Sequence, residues 1–225
     1  MNPNTLFQIA TWLVPLIIAI VFHEVSHGLV ARRLGDTTAE QAGRLTFNPI
    51  RHVDLFGTVI LPLMLALSHA PVFGWAKPVP VNYRRLRNPR RDMVLVALAG
   101  PGMNLLLAVV GALALAATLA LSRNPDGITT TLIAGNAMNF VLINLFLAVF
   151  NLLPVPPFDG GHVVEGLLPP PLALRFRRIG RYALLVLVVL LLVLPALGLN
   201  VVGHVVSPIV DRLAIGLLGL FGIRA

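Results

Sequence analysis

Long apolar stretches, separated by short polar joints rich in arginine, set the pattern of this chain. The apolar stretches run from about Thr5 to Leu34, Leu55 to Ala70, Met93 to Leu121, Thr131 to Leu153, Tyr182 to Leu197 and Val201 to Ile223. Most approach or exceed the ~20 residues a helix needs to cross a bilayer. The pattern therefore predicts an all-α polytopic membrane protein with five to six transmembrane helices. The second stretch is the weak one. It spans about 16 residues and holds Pro62, which is marginal for a crossing. On one side lies a polar segment with strand-like alternation, Gly43 to Pro49; on the other Pro71 to Tyr83, with three prolines and alternating valines, reads as an extended or looped stretch. A short re-entrant or β-hairpin-like segment is expected between the first and third apolar stretches.

Composition narrows the class. Of 225 residues, 57% are hydrophobic and 12% charged, against about 25% charged in soluble domains. Nothing divides the chain, so residues 1–225 are read as one membrane-embedded domain, with a core over about 9–166 and accessory helices over about 172–225. The net charge of +8 comes from arginines beside the apolar stretches. That placement fits topology control and anionic headgroups, with no nucleic-acid partner. The absence of cysteine excludes thiolate metal sites and disulfides. The first apolar stretch is too long for a signal-peptide core, so its removal is not expected.

The arginines also orient the chain. Arg32, Arg33, Arg44 and Arg51, then Arg84 to Arg91, then Arg175 to Arg181 are placed on the cytoplasmic side of a cell membrane. The amino terminus is then outside, and the second apolar stretch must dip in and return, or cross twice with an extended second leg.

One cluster within the first stretch carries candidate chemistry. Phe22-His23-Glu24-Val25-Ser26-His27-Gly28 contains His-Glu-x-x-His. On a helix His23 and His27 leave the same face one turn apart, which lets both imidazoles reach one zinc ion. Glu24 follows the first imidazole, where its carboxylate can take a proton from an attacking water. Three ionisable residues near the end of a membrane helix are costly unless they face protein or a polar cavity. The helix rise puts His27 ~7–10 Å inside the arginine end, so the site is expected nearer the cytoplasmic face. A catalytic zinc takes three protein ligands plus water. The third is sought at the inner end of the fourth stretch, where Asp159 precedes Gly160-Gly161; Glu165, His162 and Asp54 compete with it. The pair His52 and Asp54 is read as a hydrogen-bonded loop, and Asn136, Asn139 and Asn144 as packing residues.

His23-Glu24-Val25-Ser26-His27, followed by Ala99-Gly100-Pro101-Gly102-Met103-Asn104 and then Asn151-Leu152-Leu153-Pro154 with Asp159-Gly160-Gly161, resembles the site-2 protease family of intramembrane zinc metalloproteases. The resemblance covers about Ile9 to Gly166. It implies that His23, His27 and Asp159 hold one Zn2+ per chain and that Glu24 is the general base. It also gives Asn104 a role in holding substrate or the developing oxyanion; the competing role is a helix–helix hydrogen bond. The implied activity is cleavage of peptide bonds in transmembrane segments of membrane-protein substrates. The chain is a minimal form, with no room for the PDZ or nucleotide-sensing domains that many members carry. The rival class is a catalytically silent zinc-binding scaffold or a transporter, against which no internal repeat is found. Oligomeric state is left open.

Overall fold

A computed structural model describes residues 3–68, 74–124 and 126–223. Its helices are α1 (Pro3–Arg33), α2 (Thr38–Gln41), α3 (Leu61–Leu67), α4 (Pro89–Leu121), α5 (Ile128–Asn151), α6 (Asp159–Leu167), α7 (Pro170–Ile179), α8 (Ala183–Val188), α9 (Leu194–Ala196) and α10 (Ser207–Leu220). Among the described residues no strand forms. Five helical runs are long and apolar enough to span a membrane: Thr11–Arg33, Pro89–Leu121, Ile128–Asn151, Pro170–Ala196 and Val202–Leu220. The fold is an all-α polytopic membrane protein. Outward-facing Trp12, Leu13, Leu106 and Val110 are each about half exposed, as lipid-facing side chains should be.

The helix boundaries have local causes. At the end of α1, Gly35 takes φ 108°, its N–H bonds Arg32 O at 3.1 Å, and Asp36 N–H bonds Ala31 O at 2.9 Å. That pair of bonds is the Schellman stop, which needs a residue at positive φ. At the start of α4, Pro89 occupies the first turn, where its missing N–H costs nothing. The buried Asp92 carboxylate accepts the Asn88 N–H at 2.8 Å.

Helices α1, α4 and α5 pack against one another, α6 sits on α4, and α10 lies along α5. Small side chains permit the close approach: Ala108 and Ala112 of α4 meet Ala137 and Val141 of α5, with Val206, Val210, Ala214 and Leu218 completing the cluster. A second cluster joins Ala31 of α1, Leu86 and Val96.

Three expectations shift. Among its described residues, the second apolar stretch is helical from Leu55 to Leu67, opening with a wide turn over Leu55–Ile60. That is too short for a crossing helix. The chain is back beside its start at Lys77, whose N–H bonds His52 O at 2.8 Å, and Trp75 N–H bonds Gly57 O at 3.1 Å. Among the described residues of the flanking segments, 44–48 and 74–82, no strand pairing forms; side-chain bonds hold them instead. Arg44 donates to Lys77 O at 2.7 Å. Parts of the segment, residues 69–73, lie outside the described residues, as does residue 125 in the Ser122 to Thr130 loop. The fifth apolar run begins at Pro170 rather than near Tyr182. Arginines 175, 177, 178 and 181 thus lie within a continuous helical run, because arginine is a strong helix former and costs little at a helix end.

Candidate metal centre

His23 and His27 project from α1 toward α4. Their rings stand edge to face with centroids 4.7 Å apart. Each Nδ1 has an acceptor: His23 Nδ1 lies 2.6 Å from Asn104 Oδ1, and His27 Nδ1 lies 2.7 Å from Val96 O. The orientation of the Asn104 amide follows from its other bonds. Asn144 spends its NH2 on Phe140 O, so its Oδ1 accepts from Asn104 Nδ2 at 2.8 Å. Asn104 Nδ2 also reaches Ala19 O at 3.3 Å. Asn104 therefore turns its own oxygen to His23. A neutral imidazole at either position therefore carries its proton on Nδ1 and turns Nε2 inward as a bare lone pair.

Those two lone pairs face each other at 3.1 Å. Asp159, the first residue of α6, brings Oδ2 to 3.2 Å from His23 Nε2 and 3.4 Å from His27 Nε2. Oδ2 is buried and has no hydrogen-bond partner. Two imidazole lone pairs and a carboxylate oxygen converging without a proton between them repel unless a cation joins them. The spacing fits one: tetrahedral bonds of ~2.0–2.1 Å to nitrogen and oxygen imply donor–donor edges of about 3.3 Å. Among the described residues, His23, His27 and Asp159 are the His/Asp/Glu group that can hold a metal ion.

Two glycines make room for the trio. A Cβ on Gly100 would lie 2.5 Å from His23 Cε1 and 2.5 Å from His27 Nε2, so α4 presents bare backbone to both rings. A Cβ on Gly160 would lie 2.3 Å from Leu152 O, so the start of α6 can tuck against the end of α5 and aim Asp159 at α1.

Glu24 is partly buried and its Oε2 accepts the backbone N–H of Val79 at 2.9 Å. The extended stretch after residue 74 thus lies over this carboxylate. Sequence reading missed both Val79 and Val96, since a backbone group has no residue-type signature. It also missed that Asn144 belongs to the chain of amides behind His23.

The alternatives to Asp159 lie elsewhere. His52 donates through Nε2 to Thr46 O at 2.8 Å, and Asp54 Oδ1 accepts the Gly57 N–H at 2.6 Å, so this pair ties a loop. His162 and Glu165 face a separate cleft of about 750 Å3 that Arg84, Arg90, Met93 and Arg177 also line; Glu165 pairs there with Arg177 at 3.7 Å. Asn139 donates to Thr11 O at 3.0 Å and Asn136 to Leu132 O at 2.9 Å, both packing bonds.

The model of peptidase family M50 matches residues 11–135 and 129–194. The chain belongs to peptidase family M50. M50 is the site-2 protease family, so the chain is a metalloprotease, a hydrolase of peptide bonds. Among its M50 relatives is a Bacillus subtilis protein named "Putative zinc metalloprotease YwhC", 40% identical over 79% of this chain and 78% of that protein. Rip2 of Mycobacterium tuberculosis, with the same style of name, is 37% identical over 82% of this chain and 66% of its own length. MJ0611 of Methanocaldococcus jannaschii, also so named, is 31% identical over 72% of this chain and 74% of that protein. No solved structure matches the chain.

Proposed function

We propose that this M50 protein is an intramembrane zinc metalloprotease that cuts membrane-protein substrates within their transmembrane segments. The observation that carries the reading is the convergence of His23, His27 and Asp159 on one point from an apolar helix, Thr11–Arg33, and the start of α6. His23, His27 and Asp159 would hold one Zn2+ per chain. A zinc ion held there would supply Lewis acidity and make an attacking water easier to deprotonate near neutral pH.

The remaining steps belong to the chain's own side chains. Glu24 accepts the proton of the attacking water and returns it to the leaving amine. The Val79 N–H on Oε2 holds one carboxylate oxygen and leaves the other free to work. Asn104 fixes the tautomer and tilt of His23 from behind. Its amide is fully buried and engaged on both ends, which supports a positioning role behind His23 over contact with substrate or oxyanion. Extended backbone beside Glu24, in the 74–82 stretch, offers an edge along which an unwound substrate segment can add as a strand. Substrates would be transmembrane helices that unwind locally, because helical carbonyls are occupied. The arginine bias puts this chemistry nearer the cytoplasmic face of the cell membrane.

Purified protein with a labelled transmembrane peptide tests the reading. Cleavage is expected, lost with a chelator and restored by zinc, while Glu24→Gln keeps zinc and loses at least ~100-fold in rate, the scale of general base catalysis. Undiminished turnover by Glu24→Gln would remove Glu24 as the base. Peptide binding without any cleavage would favour a silent zinc-binding scaffold.

A further inference from the structure

The last span, Val202–Leu220, carries two charges at its middle. Asp211 and Arg212 stand ~14 Å from either end of the span by helix rise, the depth at which a charged side chain is most costly. Both side chains are exposed on the surface of the bundle. Being sequence neighbours on a helix, they point about 100° apart and do not pair with each other. Neither forms an ion pair with any other described residue.

The rest of the helix says which way they face. Val206, Val210, Ala214 and Leu218 turn inward onto α4 and α5, each 6% exposed or less. Asp211 and Arg212 straddle a face turned away from that stripe, with Pro208, Ile215 and Gly219 along its centre line, all exposed. Gly219 and the neighbouring Gly216 have nothing near a Cβ position, so another helix can approach closely.

We propose that this face is an intramembrane docking surface for a second copy of the same chain. The complementarity is internal to the face. A two-fold axis along the membrane normal passing by Ile215 sets Asp211 of one copy against Arg212 of the other, and Arg212 against Asp211, at one common depth. In such a self-complementary pairing each charge meets its opposite on the other copy, with no third group needed. Both carboxylate and guanidinium are then removed from lipid together, as polar groups in membrane interiors require. The interface lies on α10, away from the metal centre on α1 and α6, so it does not depend on the catalytic reading.

The chain has no cysteine, so one introduced thiol reports proximity without background. Ile215→Cys, oxidised in intact membranes, is expected to give a covalent dimer. Leu213→Cys, exposed on another side of the same helix, is expected to stay monomeric. In the Ile215→Cys background, Asp211→Arg or Arg212→Asp should cut the dimer fraction at least tenfold, and the double swap D211R/R212D should restore it. No dimer from Ile215→Cys overturns the proposal, as does equal cross-linking from Leu213→Cys or indifference to the charge reversals. The Ile215→Cys arm leaves both charges in place, so it decides the matter even where a reversal prevents folding. Interfacial seating of the helix, with both charges among headgroups, would appear as the absent dimer.

Discussion

At the scale of single residues, the metal centre depends as much on what lies behind the imidazoles as on the imidazoles. Asn104 and Val96 fix both protons on Nδ1, and with them the direction of the lone pairs. Outer partners of this kind tune metal affinity by about 10–100-fold. Asn104→Leu keeps the volume and removes the acceptor, so zinc affinity should fall within that range in chelator competition, with Glu24 untouched. Unchanged affinity would show that the amide is mere packing. Gly100→Ala puts a methyl where both rings already stand, at 2.5 Å. The rings or α4 must shift, at a cost of about 1–3 kcal/mol for overpacking. The expected outcome is loss of bound zinc, read as metal per chain, together with a lower melting temperature. The role of Asn104 was half legible in the sequence. Its motif stood out, but an amide in a membrane helix can face substrate or a neighbouring helix, and the bond to Asn144 of α5 is what favours the second.

At the scale of elements, the exit of α1 holds the extended stretch in place. Asp36 is fully buried. It accepts the Thr38 hydroxyl at 2.5 Å, the Thr38 N–H at 3.0 Å and, across the fold, the Asn82 N–H at 2.5 Å. Burial pushes its carboxyl up, but these bonds and Arg85 together hold it below the usual range. A depressed carboxylate contributes stability that is present above its unfolded pKa of about 3.9 and is lost as pH falls through the folded value. Asp36→Asn should therefore lower stability at neutral pH, and its deficit against the parent should shrink below about pH 4, as measured by thermal melts across pH. A deficit that stays constant with pH would contradict this. Because Asn82 and Val79 belong to one extended run, Asp36→Ala should also raise proteolytic nicking within residues 74–85. Strand-like alternation in the flanking segments signalled extended chain but not its partners. Those bonds run to Asp36, Arg44 and Glu24, all distant in sequence.

At the scale of the whole molecule, the proposed metal centre joins parts of the chain that are 132 residues apart, from His27 to Asp159. Bound zinc stabilises the folded state by mass action, since the unfolded chain has no such site. Chelation should therefore lower the melting temperature of the wild type and of Glu24→Gln by similar amounts, while His27→Ala should make the melt insensitive to chelator. A chelator effect that persists in His27→Ala would place the metal elsewhere.

Several features were fixed by local rules. Apolar length marked the spans, helical spacing put His23 and His27 on one face, and Gly35 stopped α1; each depends on residues within a turn or two, or on a bilayer's thickness. For the third donor, the place at the inner end of the fourth stretch and the adjoining Gly160-Gly161 favoured Asp159, with Glu165, His162 and Asp54 competing. Tertiary packing supports Asp159: Gly160 tucks against Leu152 and brings Asp159 to the two imidazoles, while His162 and Glu165 line a separate cleft. The Val79 amide on Glu24 and the outward setting of Asp211 and Arg212 were likewise settled only in three dimensions. Which backbone groups meet, and which face of a helix stays uncovered, depend on contacts between segments far apart along the chain.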